Sequence, residues 1–141
     1  MKIKTLIKEE QLQERIASLG KQITEDYQNK EIILVCILRG AVYFAVDLSK
    51  QIKSNNLIME FMQVSSYGNN KETTGEIKIK KDLDADIKGK NVLIVEDIID
   101  SGLTMSLLKK YLLSKEPESL KICTLIDKKE RRKVEIEADY V

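Results

Sequence analysis

The sequence predicts an α/β fold, with a mainly parallel twisted sheet flanked by helices. Apolar runs of strand length, such as EIILVCIL and NVLIV, alternate with segments that have a helical apolar period. Continuous apolar strands are typical of parallel sheets that helices cover on both faces. Ligands bind such sheets beyond the carboxyl ends of the strands. We therefore expect loops 38–41, 96–104 and 126–129 to meet there.

The first half of the pattern begins with a helix. Apolar residues spaced three or four apart predict an amphipathic helix across roughly 9–28. The strand EIILVCIL follows, and after Arg39 and Gly40 the segment AVYFAVDLSKQIKS restores a helical period. LIMEFMQV is predicted to be the next strand.

The second half contains a long polar segment, SSYGNNKETTG, with two glycines and little apolar periodicity. This composition predicts a long mobile loop. EIKIKKDL then alternates apolar and polar residues, as does a strand with one solvated face. NVLIV, a helix over 103–114 and the strand SLKICTLI follow, and the final RRKVEIEADYV again alternates like a strand.

Composition limits the functional classes. The 141 residues suit a single domain spanning 1–141. The 24 Lys and Arg nearly cancel the 23 Asp and Glu, so neither a nucleic acid nor a membrane is expected as the main partner. No His is present, which excludes His-based triads. Cys36 and Cys123 lie in apolar runs and predict buried, reduced thiols in a cytoplasmic protein.

A small, hydroxyl-rich turn separates NVLIVEDIID from the helix that follows. Ser101, Gly102, Leu103 and Thr104 precede or begin this helix, where backbone N–H groups have no internal partner and the helix dipole is positive. Such a turn can hold a phosphate group. The alternative is that Ser101 simply caps the helix.

Three carboxylates lie beside this turn, those of Glu96, Asp97 and Asp100. Acids next to an anion site repel the anion unless they hold Mg²⁺, bind sugar hydroxyls or accept a proton. The alternative is a solvated acidic loop, but these acids directly follow four apolar residues at the binding edge of the sheet. The combination predicts a phosphorylated sugar with free hydroxyls, and a metal ion.

The stretch VLIVEDIIDSGLT closely resembles the phosphoribosyl-pyrophosphate signature of the type I phosphoribosyltransferases. Further segments agree: ILRGAVYFAVDL resembles the pyrophosphate loop of the family, and SSYG with TTGEIKI resembles its flexible catalytic loop. LIDKKERRKVEIEADYV resembles the hypoxanthine-guanine branch. The resemblance implies the type I phosphoribosyltransferase fold, with a flexible antiparallel loop over the site.

The resemblance also implies an activity in purine salvage. A 6-oxopurine, hypoxanthine or guanine, would displace pyrophosphate from phosphoribosyl pyrophosphate and give IMP or GMP, with Mg²⁺ as cofactor. One alternative is a sensor of the same fold that binds phosphoribosyl pyrophosphate without catalysis. A receiver-like phosphorylation module is a second alternative, although its acids would normally come from different strand ends.

The residue roles that the resemblance implies are as follows. Asp100 is the general base at the purine N7, and Lys128 donates to the 6-oxo group. Glu96 and Asp97 accept hydrogen bonds from the ribose hydroxyls and bind Mg²⁺. The remaining expected substrate contacts come from three loops. The pyrophosphate loop contributes Arg39 and Gly40, with a cis Leu38–Arg39 peptide, and the catalytic loop contributes Ser66 and Tyr67. The 5′-phosphate loop contributes Ile98, Ile99, Ser101, Gly102, Leu103 and Thr104.

Family members continue beyond the point that corresponds to ADYV, with an aromatic residue that stacks on the purine and an Asp associated with the second metal. The resemblance therefore predicts a single phosphoribosyltransferase domain that is incomplete at its carboxyl end. The alternative is a naturally short protein with impaired catalysis. It also implies a homo-oligomer, either a dimer or a tetramer.

Overall fold

A computed structural model describes residues 9–54, 56–66 and 77–141. Its helices and strands, numbered in chain order, are α1 Glu9–Asp26, β1 Ile32–Ile37, α2 Val42–Gln51, β2 Leu57–Ser66, β3 Ile77–Lys81, β4 Asn91–Ile99, α3 Leu103–Leu113 and β5 Ser119–Asp127, followed by a 3-10 turn at Lys129–Arg131. Among these described residues, no helix is both long and apolar enough to span a bilayer.

The five strands form one sheet in the order β3-β2-β1-β4-β5. Strands β2, β1, β4 and β5 are parallel to one another, and β3 is antiparallel to β2 at the edge. The predicted α/β fold with a mainly parallel sheet is therefore confirmed. All six residues of β1 are buried, as its unbroken apolar sequence predicts for a central parallel strand.

Helices cover both faces of the sheet and divide the core in two. Apolar side chains of α1 and α2 pack with Leu34, Leu93 and Val95 on one face. Those of α3 pack with Val35 and Ile94 on the other. Because successive side chains of a strand point to opposite faces, each apolar run contributes to both cores.

Two predicted strands are longer in the structure. β4 continues past Val95 to Ile99, so Glu96 and Asp97 belong to the strand itself. The extension forms because β5 offers backbone partners beyond the apolar run, pairing Glu96 with Thr124 and Ile99 with Asp127. β2 likewise extends into the polar segment expected to be loop, through Ser66, which pairs with Ile77 of β3.

The strand-like alternation of RRKVEIEADYV does not correspond to a strand of the sheet. The 3-10 turn ends at Arg131, the first residue of this segment, and the segment itself forms one isolated parallel bridge, between Tyr140 and Cys123. The alternation has a different physical basis, since Val134 and Ile136 pack against the α3 core. The Tyr140 hydroxyl donates to Asp26 of α1 at 2.6 Å, which attaches the segment to the opposite helix layer.

Both thiols are buried and unpaired. Burial raises the pKa of Cys36 to about 11, with a smaller contribution from the Glu96 charge, and burial raises the pKa of Cys123 to about 12. Because the thiolate is the reactive species, we expect neither thiol to react with an aromatic disulfide reagent at pH 8 in the folded protein. Both should react rapidly in urea, and rapid reaction without urea would contradict this burial.

Candidate active site

The carboxyl end of β4 and the start of α3 enclose a cavity of about 310 Å³. The neighbouring strands β1 and β2 and the α3 helix complete its walls. It is lined by Ile37, Val64, Ser65, Glu96, Ile98, Ile99, Asp100, Ser101, Gly102, Thr104, Met105 and Leu108. Seven of these were predicted from the sequence as site residues, whereas Ser65 was not. Ser65 is the first residue of SSYG and directly precedes the predicted Ser66.

The adjacent acids Glu96 and Asp97, near the end of β4, have different surroundings, as expected for neighbouring residues of an extended strand. Glu96 lines the cavity, and its Oε1 accepts the Asp97 backbone N–H at 3.0 Å. Burial, strengthened by a hydrogen bond to the Asp97 side chain, raises the pKa of Glu96 to about 8. Burial disfavours the charged form of this carboxyl group, and a nearby cation would stabilise that form.

The predicted pyrophosphate loop lies directly against Asp97. A Cβ placed on Gly40 would be 2.9 Å from Asp97 Oδ2, so only glycine allows this approach. The Leu38–Arg39 peptide bond is cis, as the resemblance implies. Arg39 itself is exposed at the entrance to the loop. Two of the three expected loops, 38–41 and 96–104, therefore do meet.

The turn before α3 depends on Gly102. Its φ of +85° lies in the left-handed region, where a side chain is strained. A Cβ there would also be 2.5 Å from Ile136 Cγ2 and 2.9 Å from Arg132 Cδ. Ser101 Oγ accepts the backbone N–H of Leu103 at 3.3 Å. Gly102, however, is the N-cap residue of α3. Ser101 therefore lies one position before the cap, and the alternative in which it simply caps the helix does not describe the structure.

Asp100 is half exposed beside the cavity. Its Oδ1 accepts a hydrogen bond from Arg131 Nε at 2.5 Å, and the side chains of Asp100 and Arg131 are 49% and 63% exposed. A solvated pair of this kind contributes little to stability, roughly 0–1 kcal/mol. The carboxylate can therefore exchange this partner for a substrate group at small cost. Sequence reasoning did not identify Arg131, because no local pattern links it to Asp100.

The third expected loop reaches the same place through the backbone. Lys128 N donates to the carbonyl oxygen of Ile99 at 2.9 Å, which joins the end of β5 to the end of β4. The Lys128 side chain is half-buried. The prediction that 126–129 meets 96–104 is confirmed.

Two predicted site residues are described less fully. Tyr67 lies outside the described residues. For Ser66 the structure gives only the backbone, which ends β2 opposite Ile77. Leu103 is the first residue of α3 and directly follows the turn.

The residues present fit a magnesium ion. Within the part of the chain that the structure describes, no cluster of three or more candidate ligands occurs. Mg²⁺ commonly uses only one or two protein carboxylates and completes its shell with water and substrate phosphate oxygens. The partly buried carboxyl group of Glu96 supplies one such ligand at the cavity, and that of Asp97 lies outside the cavity lining, against Gly40.

A mostly parallel sheet, an acidic strand end and a small glycine turn define a phosphoribosyltransferase domain. The family model of the phosphoribosyl transferase domain matches residues 4–141. The chain belongs to this family, and within it to the hypoxanthine (guanine) phosphoribosyltransferases, which are transferases.

Individual relatives support this placement. The chain is 50% identical to the hypoxanthine-guanine phosphoribosyltransferase of Aquifex aeolicus, over 99% of this chain and 79% of that protein. It is 48% identical to the hypoxanthine phosphoribosyltransferase of Salmonella typhimurium, with the same coverage. A crystal structure of a hypoxanthine-guanine phosphoribosyltransferase from Bacillus anthracis superposes with a TM-score of 0.90 at 51% identity, covering 96% of this chain and 79% of that one.

Proposed function

We propose that this protein transfers the 5-phosphoribosyl group from phosphoribosyl pyrophosphate to hypoxanthine, and to guanine, forming IMP or GMP and pyrophosphate. The observation that carries the proposal is the cavity at the end of β4, whose lining includes Glu96, Asp100, Ser101 and Thr104. A phosphorylated sugar needs this combination of acceptors for its hydroxyls and neutral donors for its phosphate.

Each part of the site has a proposed role. The turn 100–104 binds the 5′-phosphate through backbone N–H groups and the hydroxyls of Ser101 and Thr104. Ile98 and Ile99 form the apolar wall of the cavity beneath it. Glu96 and Asp97 accept hydrogen bonds from the ribose hydroxyls and would hold Mg²⁺. When bound, Mg²⁺ offsets the negative charge of the departing pyrophosphate.

The base and leaving group are handled by the other loops. Asp100 accepts the proton from purine N7, and Lys128 donates to the 6-oxo oxygen. Arg39 and the Gly40 backbone bind pyrophosphate. Ser66 and Tyr67 cover the reacting carbon and exclude water, which would otherwise compete with the purine.

The second candidate is a sensor that binds phosphoribosyl pyrophosphate without catalysis. It requires the phosphate turn and the acid pair, but neither Asp100 nor Lys128. Both are present in the sequence, which favours the enzyme. Membership of the phosphoribosyltransferase family leaves no role for a receiver module.

A product assay separates the two candidates. The protein is mixed with phosphoribosyl pyrophosphate, Mg²⁺ and either hypoxanthine, guanine or adenine, and nucleotides are resolved by chromatography. IMP and GMP are expected, with far less AMP. If calorimetry detects phosphoribosyl pyrophosphate binding but no nucleotide forms with any base, the sensor replaces the enzyme.

Lys128→Met should weaken recognition of 6-oxopurines. Lysine is a donor only, so it matches an oxo group and not the amino group of adenine. Losing this hydrogen bond should raise the KM for hypoxanthine about tenfold or more, with little change in the KM for phosphoribosyl pyrophosphate. Lys129→Met, which alters a neighbouring exposed side chain, is the control. Equal kinetics for the two variants would contradict the assignment of Lys128.

Gly40→Ala should impair use of phosphoribosyl pyrophosphate. The added methyl group would lie 2.9 Å from Asp97 Oδ2 and must displace that carboxylate or the loop. A displacement of about 1 Å can cost on the order of a hundredfold in rate, so kcat/KM for phosphoribosyl pyrophosphate should fall by about that factor. Thermal unfolding of the variant should change little, because residue 40 is exposed. Unaltered kinetics would contradict the proposed contact.

A cytoplasmic location and assembly into a homodimer or homotetramer stay predictions of the family resemblance. The same holds for a single domain over 1–141.

A further inference from the structure

A buried ion pair outside the residues assigned above lies beneath the site. It joins Arg132 to Asp127, whose side chains are only 13% and 4% exposed. Asp127 is the last residue of β5 and directly precedes Lys128. Arg132 follows the 3-10 turn and packs against Gly102. A Cβ placed on Gly102 would lie 2.9 Å from Arg132 Cδ.

The Arg132 guanidinium connects the two loops of the site through their carbonyl oxygens. Nη1 lies 2.9 Å from the Asp100 oxygen, 3.3 Å from that of Ile99 and 3.4 Å from that of Lys128. Nε donates to the carbonyl oxygen of Ile136 at 3.1 Å. One side chain therefore contacts the residue that begins the phosphate turn and the residue assigned to the purine.

The pair is poorly arranged for stability alone. Asp127 Oδ2 is buried and has no hydrogen-bond partner among the described residues. An unsatisfied buried carboxylate oxygen is costly, and buried ion pairs can often be replaced by apolar residues without loss of stability. The geometry of the pair is better suited to orienting the two loops, since the planar guanidinium holds several carbonyl oxygens in fixed directions.

We propose that Arg132 is a positioning residue, which sets the phosphate turn and Lys128 at the separation that the substrates require, with Asp127 fixing the guanidinium. This inference rests on the proposed function, because that separation matters only if one reaction uses both loops. Arg132 acts through backbone carbonyls and touches no substrate.

The test uses variants that separate position from stability. The double variant Asp127→Leu/Arg132→Met removes both charges, so no buried charge is left unpaired and the fold should survive. Arg132→Lys keeps the charge but has a single donor nitrogen that cannot span the carbonyls. Arg15→Met is the matched control, since Arg15 is an exposed arginine of α1 that donates to the Val141 carbonyl.

Steady-state IMP formation gives the first readout. The double variant should unfold at a temperature close to that of the wild type and lose about tenfold to a hundredfold in kcat/KM for both phosphoribosyl pyrophosphate and hypoxanthine. Arg132→Lys should show a smaller loss of the same kind, and Arg15→Met none. Added guanidinium ion should restore part of the activity of Arg132→Ala, provided that this variant folds. Wild-type kinetics in the folded double variant would overturn the inference.

A second readout does not depend on activity. Backbone amide exchange in the ligand-free proteins should be faster at 100–104 and 128 in the double variant than in the wild type, and unchanged in β1. If the wild type forms no IMP, the proposed function fails while this comparison still decides whether Arg132 holds the loops together. Equal exchange at 100–104 and 128 would overturn the positioning role.

Discussion

Replacing Gly102 with alanine should both destabilise the protein and abolish measurable IMP formation. A left-handed backbone costs an alanine roughly 1–2 kcal/mol, and forcing a methyl group into a packed site costs about 1–3 kcal/mol more. Both apply here, because φ is +85° and the methyl would lie 2.5 Å from Ile136 Cγ2. Urea unfolding should report a loss of about 2–5 kcal/mol, the sum of these two costs.

Gly89 provides the matched control. It also has a positive φ, +73°, but a Cβ there would meet nothing within 4 Å. Gly89→Ala should therefore lose only the backbone cost of roughly 1–2 kcal/mol and keep wild-type rates of IMP formation. If the two variants lost the same stability and activity, contact between the turn and the 132–136 segment would have no part in the site.

Asp100→Asn should lower kcat for IMP formation by about 10²–10⁴-fold, the range typical of a general base. The amide has the shape of the carboxylate but cannot accept the N7 proton at neutral pH. Stability should change by less than about 1 kcal/mol, because the ion pair with Arg131 is solvated. The KM for phosphoribosyl pyrophosphate should stay near the wild-type value.

Asp84→Asn is the control for the same chemical change. Asp84 is 83% exposed, and its only ion pair among the described residues is with Lys81 at 3.5 Å, so its variant should be fully active. An Asp100→Asn protein with more than about a tenth of the wild-type kcat would be inconsistent with general base catalysis. In that case another group must accept the N7 proton.

Local sequence patterns predicted most of the fold. In β1 and β4 the buried residues form continuous apolar runs, and in α1 the buried Ile16, Leu19 and Ile23 recur at helical spacing. Each of these patterns is visible within its own segment. The ends of elements were less predictable, because β4 extends through Glu96 and Asp97 only where β5 lies alongside it. The final segment alternates because its apolar side chains reach the α3 core, and its backbone forms no strand.

The candidate site divides in the same way. VLIVEDIIDSGLT carries the acids, the turn and the helix start within one continuous stretch, so its residues could be named from sequence alone. Arg131 and Arg132 lie more than thirty positions from Ile99 and Asp100 and contact them through the folding of the chain. No spacing rule in the sequence connects these groups, and Arg132 binds backbone oxygens that every residue has.

The measurement that tests the central claim most directly is a map of backbone amide exchange with and without IMP. If the turn after β4 and the loop after β5 form one site, IMP should slow exchange at 96–104 and 127–132 together. Exchange should stay unchanged at the opposite end of the sheet, around Gln28 and Lys53, where a second polar pocket lies. Protection confined to that pocket, or confined to only one of the two loops, would contradict a single site for phosphate and purine.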